Sequence, residues 1–205
     1  MRTAVIVAGG IGSRWGLQGG RSKHFIEIDG EPIISRTIRQ SSALFDRTVA
    51  VVPQFDYVSG VDREILAPEE TRGREPGKIL SSKDEWSSNQ TTLLYGDVYF
   101  TDSAIKKIAA SEAELAFLMR WDKSNRTAKP YGEIYAISFA ASMHEQIIAA
   151  MEDFTPAKRV PPRAGWHLLN RLEGAAAVIE IDDETEDFDT PEDYERWMRA
   201  TGRRG

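Results

Sequence analysis

Residues able to do chemistry are concentrated at the front of this chain and recur at two distant points. Near the front, Gly9-Gly10-Ile11-Gly12-Ser13-Arg14 follows the apolar run Thr3 to Ala8, and Lys23 comes after a short glycine-rich spacer. Without Cβ atoms at 9, 10 and 12 the backbone can turn tightly and aim several N–H groups at one point, while Arg14 and Lys23 bring positive charge. That combination reads as a cradle for phosphate. Two better-known phosphate loops do not fit it. A G-x-G-x-x-G pattern counted from Gly10 reaches Gly12 but then meets Trp15, with Gly16 one residue late. The nearest approach to G-x-x-x-x-G-K-[ST] is Gly73 to Lys78, one residue short and followed by Ile79.

The other two points are acidic. Asp97 ends the apolar run Thr92 to Phe100, where an aspartate is also an ordinary turn residue. From Glu180 to Asp193 the carboxylates crowd together and would repel one another unless solvated or given a cation. His144 and His167 each stand alone on amphipathic stretches and read as surface or hydrogen-bonded residues rather than catalytic ones; no Ser, His and Asp set is evident. With no cysteine, disulfides, zinc–thiolate sites and thiol catalysis are excluded.

Elements that could hold these residues alternate in type. The runs Thr3 to Ala8 and Thr48 to Val52 read as buried strands, with a helix from Pro32 to about Ser42 between them. Strand, helix, strand is the unit of a parallel sheet. Further strands are expected at Glu64 to Ala67, Thr92 to Phe100, Leu115 to Met119, Ile134 to Ser138 and Ala177 to Ile181. Helices are expected at Ser103 to Ala110, Ser142 to Phe154 and Gly165 to Glu173. Lys123 to Lys129 reads as a polar, flexible connection. At the end, Thr190 as N-cap, Pro191 and Asp193 make a near capping box, worth about 1 kcal/mol through the threonine.

Length and charge set the frame. At 205 residues the chain is read as one domain over 1–205. Its 26 basic and 32 acidic residues give a net charge of −6. The clearest basic cluster, Arg196, Arg199, Arg203 and Arg204, reads as a solvated end, so no nucleic-acid partner is expected. No stretch of 18 apolar residues and no leader pattern occurs, so no membrane partner and a cytoplasmic location are expected.

The front stretch, AVIVAGGIGSRWG followed by KHFIEIDGEPIISRTI, resembles the opening of the sugar-nucleotidyltransferase superfamily, with cytidylyltransferases and molybdopterin nucleotidyltransferases among its branches. The resemblance runs through Gly30, Pro32, Ile33 and Ile34; Ser22 stands where a proline is usual, which should loosen the local backbone. It implies a GT-A-like α/β fold, a three-layer sandwich on a mostly parallel sheet. LLYGDVYF is similar to the family's second signature, which makes Asp97 a Mg²⁺ ligand, with Tyr99 in place of a proline. DFDTPEDYERW resembles the family's closing motif, which makes Asp189 the second metal ligand and Asp187 the alternative.

By the same resemblance Ala8, Gly9, Gly10, Gly12, Ser13, Arg14, Lys23, Gly77 and Lys78 bind the nucleotide, the last two following the segment over the base, and Glu133 contacts the acceptor. The implied reaction moves a nucleoside monophosphate from an NTP to a phosphorylated acceptor, most simply a sugar phosphate, with Mg²⁺ as cofactor, Arg14 and Lys23 as catalytic cations and pyrophosphate as leaving group. Whether the chain is a homo-oligomer stays open. One alternative is a GT-A glycosyltransferase, against which stands the absence of Asp-x-Asp at Asp97-Val98-Tyr99. The other is a non-catalytic nucleotide-binding module, for which the loss of Arg14, Lys23 or Asp97 would have argued.

Overall fold

The first apolar run becomes β1 (Arg2–Val7), and its residues alternate between the two faces of a sheet as strand geometry requires. Val5 and Val7 enter one core, Ala4, Ile6 and Ala8 the other. The computed structural model describes residues 1–10, 15, 22–69, 75–154 and 164–203. Beside β1 lie β4 (Arg47–Val52), β5 (Arg63–Leu66) and β6 (Gln90–Tyr95); beyond them come β8 (Leu115–Arg120), β9 (Glu133–Ala140) and β10 (Ala176–Glu180). They form one seven-stranded sheet in the order β10-β8-β9-β6-β1-β4-β5. Only β9 runs antiparallel to its neighbours.

Helices cover both faces, so the expected three-layer α/β sandwich on a mostly parallel sheet is present. On one face α1 (Ile33–Leu44) and α3 (Asp102–Ala109) bury Ile34, Ile38, Ala104, Ile105 and Ile108. On the other, α2 (Glu75–Leu80), α4 (His144–Glu152) and α5 (Ala164–Arg171) bury Ile79, Ile147, Met151, Leu168 and Leu169. His144 stacks edge-on against Trp86 and Phe139, and His167 Nε2 bonds the Ala150 carbonyl at 3.0 Å. Both histidines are packing residues.

A smaller assembly closes the end where the parallel strands finish. The run read as one strand from Thr92 to Phe100 breaks at Gly96-Asp97, and β7 (Val98–Tyr99) leaves the main sheet to pair with β11 (Glu186–Asp187). At the break only glycine fits: a Cβ at Gly96 would lie 2.9 Å from the Cβ of Ala8. α6 (Pro191–Thr201) then seals the assembly by burying Trp197 with Tyr99, Phe188, Ile28 and Ile33. Its capping box is complete, with the Thr190 hydroxyl accepting from the Asp193 amide and the Asp193 carboxylate accepting from the Thr190 amide. β2 (Glu27–Ile28) and β3 (Glu31–Pro32) form a small hairpin that leads into α1.

Two local expectations need revision. Pro32 is not the first helical residue but the N-cap, at φ −58° and ψ 137°. Arg203 is not solvated: it pairs with Glu184 at 2.5 Å and with Asp29, and lies over the Tyr99 and Trp197 rings. Arg204 lies outside the described residues.

Candidate active site

All the carboxylates and lysines described next converge on the end of the sheet where β1, β6 and β8 stop, the usual ligand crevice of open α/β sheets. Ala8 is fully buried and its amide bonds the Val51 carbonyl at 2.8 Å, fixing where the chain leaves the sheet. A Cβ at Gly9 would fall 2.7 Å from that of Ala67 and 3.2 Å from Cδ of Lys78, so only glycine fits. A Cβ at Gly10 would lie 3.6 Å from Nζ of Lys78. Lys78, on α2 one residue after Gly77, therefore lays its stem along the start of the glycine loop. Gly12, Ser13 and Arg14 lie outside the described residues. Trp15, on the far side of that loop, donates its indole N–H to the Phe188 carbonyl at 2.8 Å, tying the loop's end to the closing motif.

Lys23 opens a 3-10 turn, Lys23–Phe25, and its amine bonds Asp97 and stands 4.0 Å from Oδ1 of Asp187. Burial pushes this amine down, but attraction from Asp97 and Asp187 outweighs it and leaves Lys23 above its ordinary value. Asp97 shows the converse: burial raises it, and Lys23, with His24 and Lys78, overrides that and holds it well below the usual carboxylate range. Ser22, where the family usually has proline, takes φ −67° and places its hydroxyl 2.9 Å from Nδ1 of His24. The backbone thus keeps a proline-like angle while the side chain orders His24, which also meets the Tyr57 hydroxyl at 2.9 Å.

The second half of the site comes from the end of the chain. Because β11 pairs with β7, Asp187 stands opposite Val98, next to Asp97. Asp187 is therefore the closing-motif aspartate nearest Asp97, while Asp189 lies further out and accepts from the Tyr131 hydroxyl at 3.3 Å. Asp187, Asp189 and Glu133 can bring ligand oxygens within 4.8 Å of one another. Glu133 reaches them because β9 is antiparallel and starts where its neighbours end, in register with Arg120.

Into these three carboxylates projects Lys129, its side chain 3% exposed, at 2.8 Å from Asp187, 3.2 Å from Glu133 and 3.6 Å from Asp189. Burial lowers this amine, but the attraction of Asp187, Glu133 and Asp189 carries it above its ordinary value. The stretch read as a flexible connection thus ends in a buried cation. Lys129 satisfies Asp187 Oδ2, whereas Oδ1 is buried with no hydrogen-bond partner among the described residues. Burial, reinforced by the negative charge of Asp97 and against the pull of Lys129, pushes Asp187 up to about 7.

Beneath the site Arg120 is held by Glu186 at 3.0 Å, the Tyr135 hydroxyl at 2.8 Å, and the carbonyls of Asp183 and Thr185 at 2.9 and 3.1 Å. It pins the segment carrying Asp187 to the end of β8. Neither Lys129 nor Arg120 belongs to a sequence motif. Their one local signal is a lysine four residues before Glu133 and an arginine closing an apolar strand.

A seven-stranded, mostly parallel sheet whose strand ends gather a glycine loop, lysines and aspartates defines the class of nucleotide-handling α/β transferases. The chain belongs to the family described as the MobA-like NTP transferase domain, whose model matches residues 4–173. That match covers the glycine loop, Lys23, Asp97, Lys129 and Glu133 but stops before Asp187 and Asp189. A nucleotidyl transferase from Methanothermobacter thermautotroptrophicus has a similar structure, with TM-score 0.69, 15% identity and coverage of 98% of this chain and 99% of that one. The CTP:phosphocholine cytidylyltransferase of Streptococcus pneumoniae gives 0.68, 16%, 98% and 99%. The inositol-1-phosphate CTP transferase of T. maritima gives 0.66, 18%, 97% and 95%. A shorter likeness, 54% identity over 37 residues, is to 2-C-methyl-D-erythritol 4-phosphate cytidylyltransferase of Chlorobium phaeovibrioides and spans 18% of this chain and 15% of that protein.

Proposed function

We propose that this chain transfers a nucleoside monophosphate from an NTP to a phosphorylated acceptor, most simply a sugar phosphate, and releases pyrophosphate with the help of Mg²⁺. The observation that carries the proposal is the meeting of Lys23, Asp97 and Asp187 at the end of the strand that feeds the glycine loop. Their residue types suit a hard cation: Asp97 and Asp187 offer oxygen ligands, and Oδ1 of Asp187 is a buried acceptor with no hydrogen-bond partner among the described residues, the Lys23 amine standing 4.0 Å away. Asp97 with Asp187 would hold Mg²⁺, with Asp189 next to them. When bound, the ion would supply charge for the triphosphate oxygens.

The remaining work falls to the protein. The glycine loop, with Arg14, receives the triphosphate, and Lys78 beside Gly10 adds a cation at the loop's start. A phosphate oxygen of the acceptor attacks the α-phosphorus in line. A new P–O bond forms there as the bond to the bridging oxygen of the pyrophosphate breaks, and pyrophosphate leaves with the electron pair. Lys23 balances the charge that develops. Because a phosphate monoester is already ionised, no general base is required; catalysis is positioning and electrostatics. Lys129 acts on Asp187, Asp189 and Glu133 by keeping them gathered.

Pyrophosphate release, measured with each NTP over a panel of phosphorylated acceptors in the presence of Mg²⁺ and of EDTA, tests this reading. Lys23→Ala and Asp97→Ala should each slow turnover by about two to four decades. Near-normal turnover in either variant, or no metal-dependent release with any NTP, would refute it.

A further inference from the structure

Between α6 and the segment that leads to Lys129 lies an open cleft of about 520 Å³. Asn125, Arg126 and Thr127 line it from the segment, and Arg196, Arg199 and Ala200 line it from α6, where they recur at helical spacing on one face. Three guanidinium groups thus share one concavity, and no carboxylate is among the described residues that line it. Two arginines that read in the sequence as a solvated end are walls of a cleft.

Their charge is available to a ligand. Arg126 pairs with no carboxylate among the described residues; it gives one nitrogen to the Asp183 carbonyl at 3.0 Å, while the Asp183 carboxylate accepts from the Thr101 hydroxyl and the Thr185 amide. Arg196 and Arg199 meet Glu192 at 2.8 Å and Glu195 at 3.8 Å, each one turn back on the same exposed helix face. Exposed pairs of that kind are weak and yield to a more highly charged anion. Thr127, only 8% exposed, adds a buried hydroxyl with no hydrogen-bond partner among the described residues.

We infer that this cleft is a second anion site, sharing no lining residue with the transfer site, and that it takes a small, multiply charged phosphate such as a di- or triphosphate. Guanidinium forks suit paired phosphate oxygens, and three of them together exceed what a single carboxylate would balance. The volume is that of a small-molecule site. The basic character is also local: Glu192 and Glu195 stand on the same helix and the chain carries a net −6, which leaves no basic stripe for a nucleic acid to follow. A bound anion would clamp the segment to α6 beside the existing bond from the Ala128 amide to Oδ1 of Asp193 at 3.0 Å. The inference stands independently of the nucleotidyl-transfer reading.

The test follows backbone amide resonances while pyrophosphate is added without Mg²⁺. Three proteins are compared: the wild type, a cleft variant combining Arg196→Gln and Arg199→Gln, and a control combining Arg39→Gln and Arg171→Gln. The control removes the same charge from exposed arginines that do not line the cleft. All four positions are at least half exposed, so both variants should fold, and unchanged resonances away from the substitutions confirm it. In the wild type and the control, amides of residues 125–128 and 196–200 should shift and saturate alike; in the cleft variant half-saturation should need about tenfold more pyrophosphate or beyond. Inorganic phosphate and ADP serve as parallel probes. ADP no tighter than pyrophosphate assigns the site to bare phosphate, and ADP tighter assigns it to phosphate on an organic carrier; either upholds the site. No shifts at 125–128 and 196–200, equal half-saturation in the cleft variant and the wild type, or an equal loss in the control would overturn it, as would an acidic peptide or RNA oligonucleotide that saturates these amides below the concentration pyrophosphate needs. Silence at Gly9, Gly10 and Lys23 on adding NTP·Mg²⁺ would instead count against the nucleotidyl-transfer reading and leave this one standing.

Discussion

Replacing Lys129 by methionine keeps much of the side chain's length and removes only its charge. In the wild type that amine lies 2.8 Å from Asp187, 3.2 Å from Glu133 and 3.6 Å from Asp189, with Glu133 9% and both aspartates under 20% exposed. Without it, three carboxylates whose oxygens can approach within 4.8 Å are left facing one another in a place largely closed to water. Breaking a buried pair by deleting one partner typically costs about 3–5 kcal/mol. In a protein of this size that corresponds to a fall in melting temperature of roughly 6–20 °C.

Two further readouts separate this cause from a packing defect. Adding Mg²⁺ should raise the melting temperature of Lys129→Met more than that of the wild type, because the variant has gained an anionic cavity that binds cations only when folded. Adding Asp187→Asn to Lys129→Met should recover part of the loss, since the double variant carries one charge fewer to leave unpaired. Chemical denaturation with and without Mg²⁺ reads all of this. A Lys129→Met protein within about 1 kcal/mol of the wild type, or one indifferent to Mg²⁺ and to Asp187→Asn, would refute the account of Lys129 as the cluster's resident cation.

Arg120→Met should cost a similar amount, about 3–5 kcal/mol in urea denaturation, because Glu186, whose side chain is 1% exposed, loses its cation and two carbonyls lose their donor. Arg120→Met combined with Glu186→Gln should be less unstable than Arg120→Met alone, and equal stability would argue against the ion pair. His24 makes a prediction in pH. Burial, opposed by Asp97 and aided by Lys23 and Lys78, pushes it down from 6.5 to about 4, so the folded state resists a proton that the unfolded chain accepts. Its contribution is intact above about 6.5 and is lost as pH falls towards about 4, a change on the order of 3 kcal/mol. Stability followed against pH should therefore fall less steeply across that interval in His24→Gln than in the wild type; parallel profiles would count against it.

How much of this was legible beforehand depended on whether a residue acts through its neighbours in the chain or through distant ones. β1, β4 and β8 are continuous apolar runs, and α6 announces itself by Thr190, Pro191 and Asp193, so these elements could be placed within a residue or two. The glycine loop, Lys23 and Asp97 are local patterns with a chemical reason for their types. Lys129 offers no such pattern, because its burial is created by Glu133 on β9 and by Asp187 on β11, neither of which a window around 129 contains. Which of Asp187 and Asp189 stands beside Asp97 was equally unreadable from the motif, since that depends on the register of β11 against β7. Gly96 is different again: it sits inside an apolar run, and that Val98 and Tyr99 leave the main sheet depends on their pairing with distant Glu186 and Asp187.

The pairing of β11 with β7 also orders events in time. Asp97 is made before the chain is half complete, yet Asp187 reaches it only after Glu186 and Asp187 have been added opposite Val98 and Tyr99. All seven strands of the main sheet precede that moment, so a fragment ending at Glu180 holds every strand needed for the sheet and lacks the carboxylate that completes the pair. The last short strand therefore works as a latch. A chain clipped before Glu186 has every strand of the main sheet in its sequence and lacks the carboxylate that stands beside Asp97.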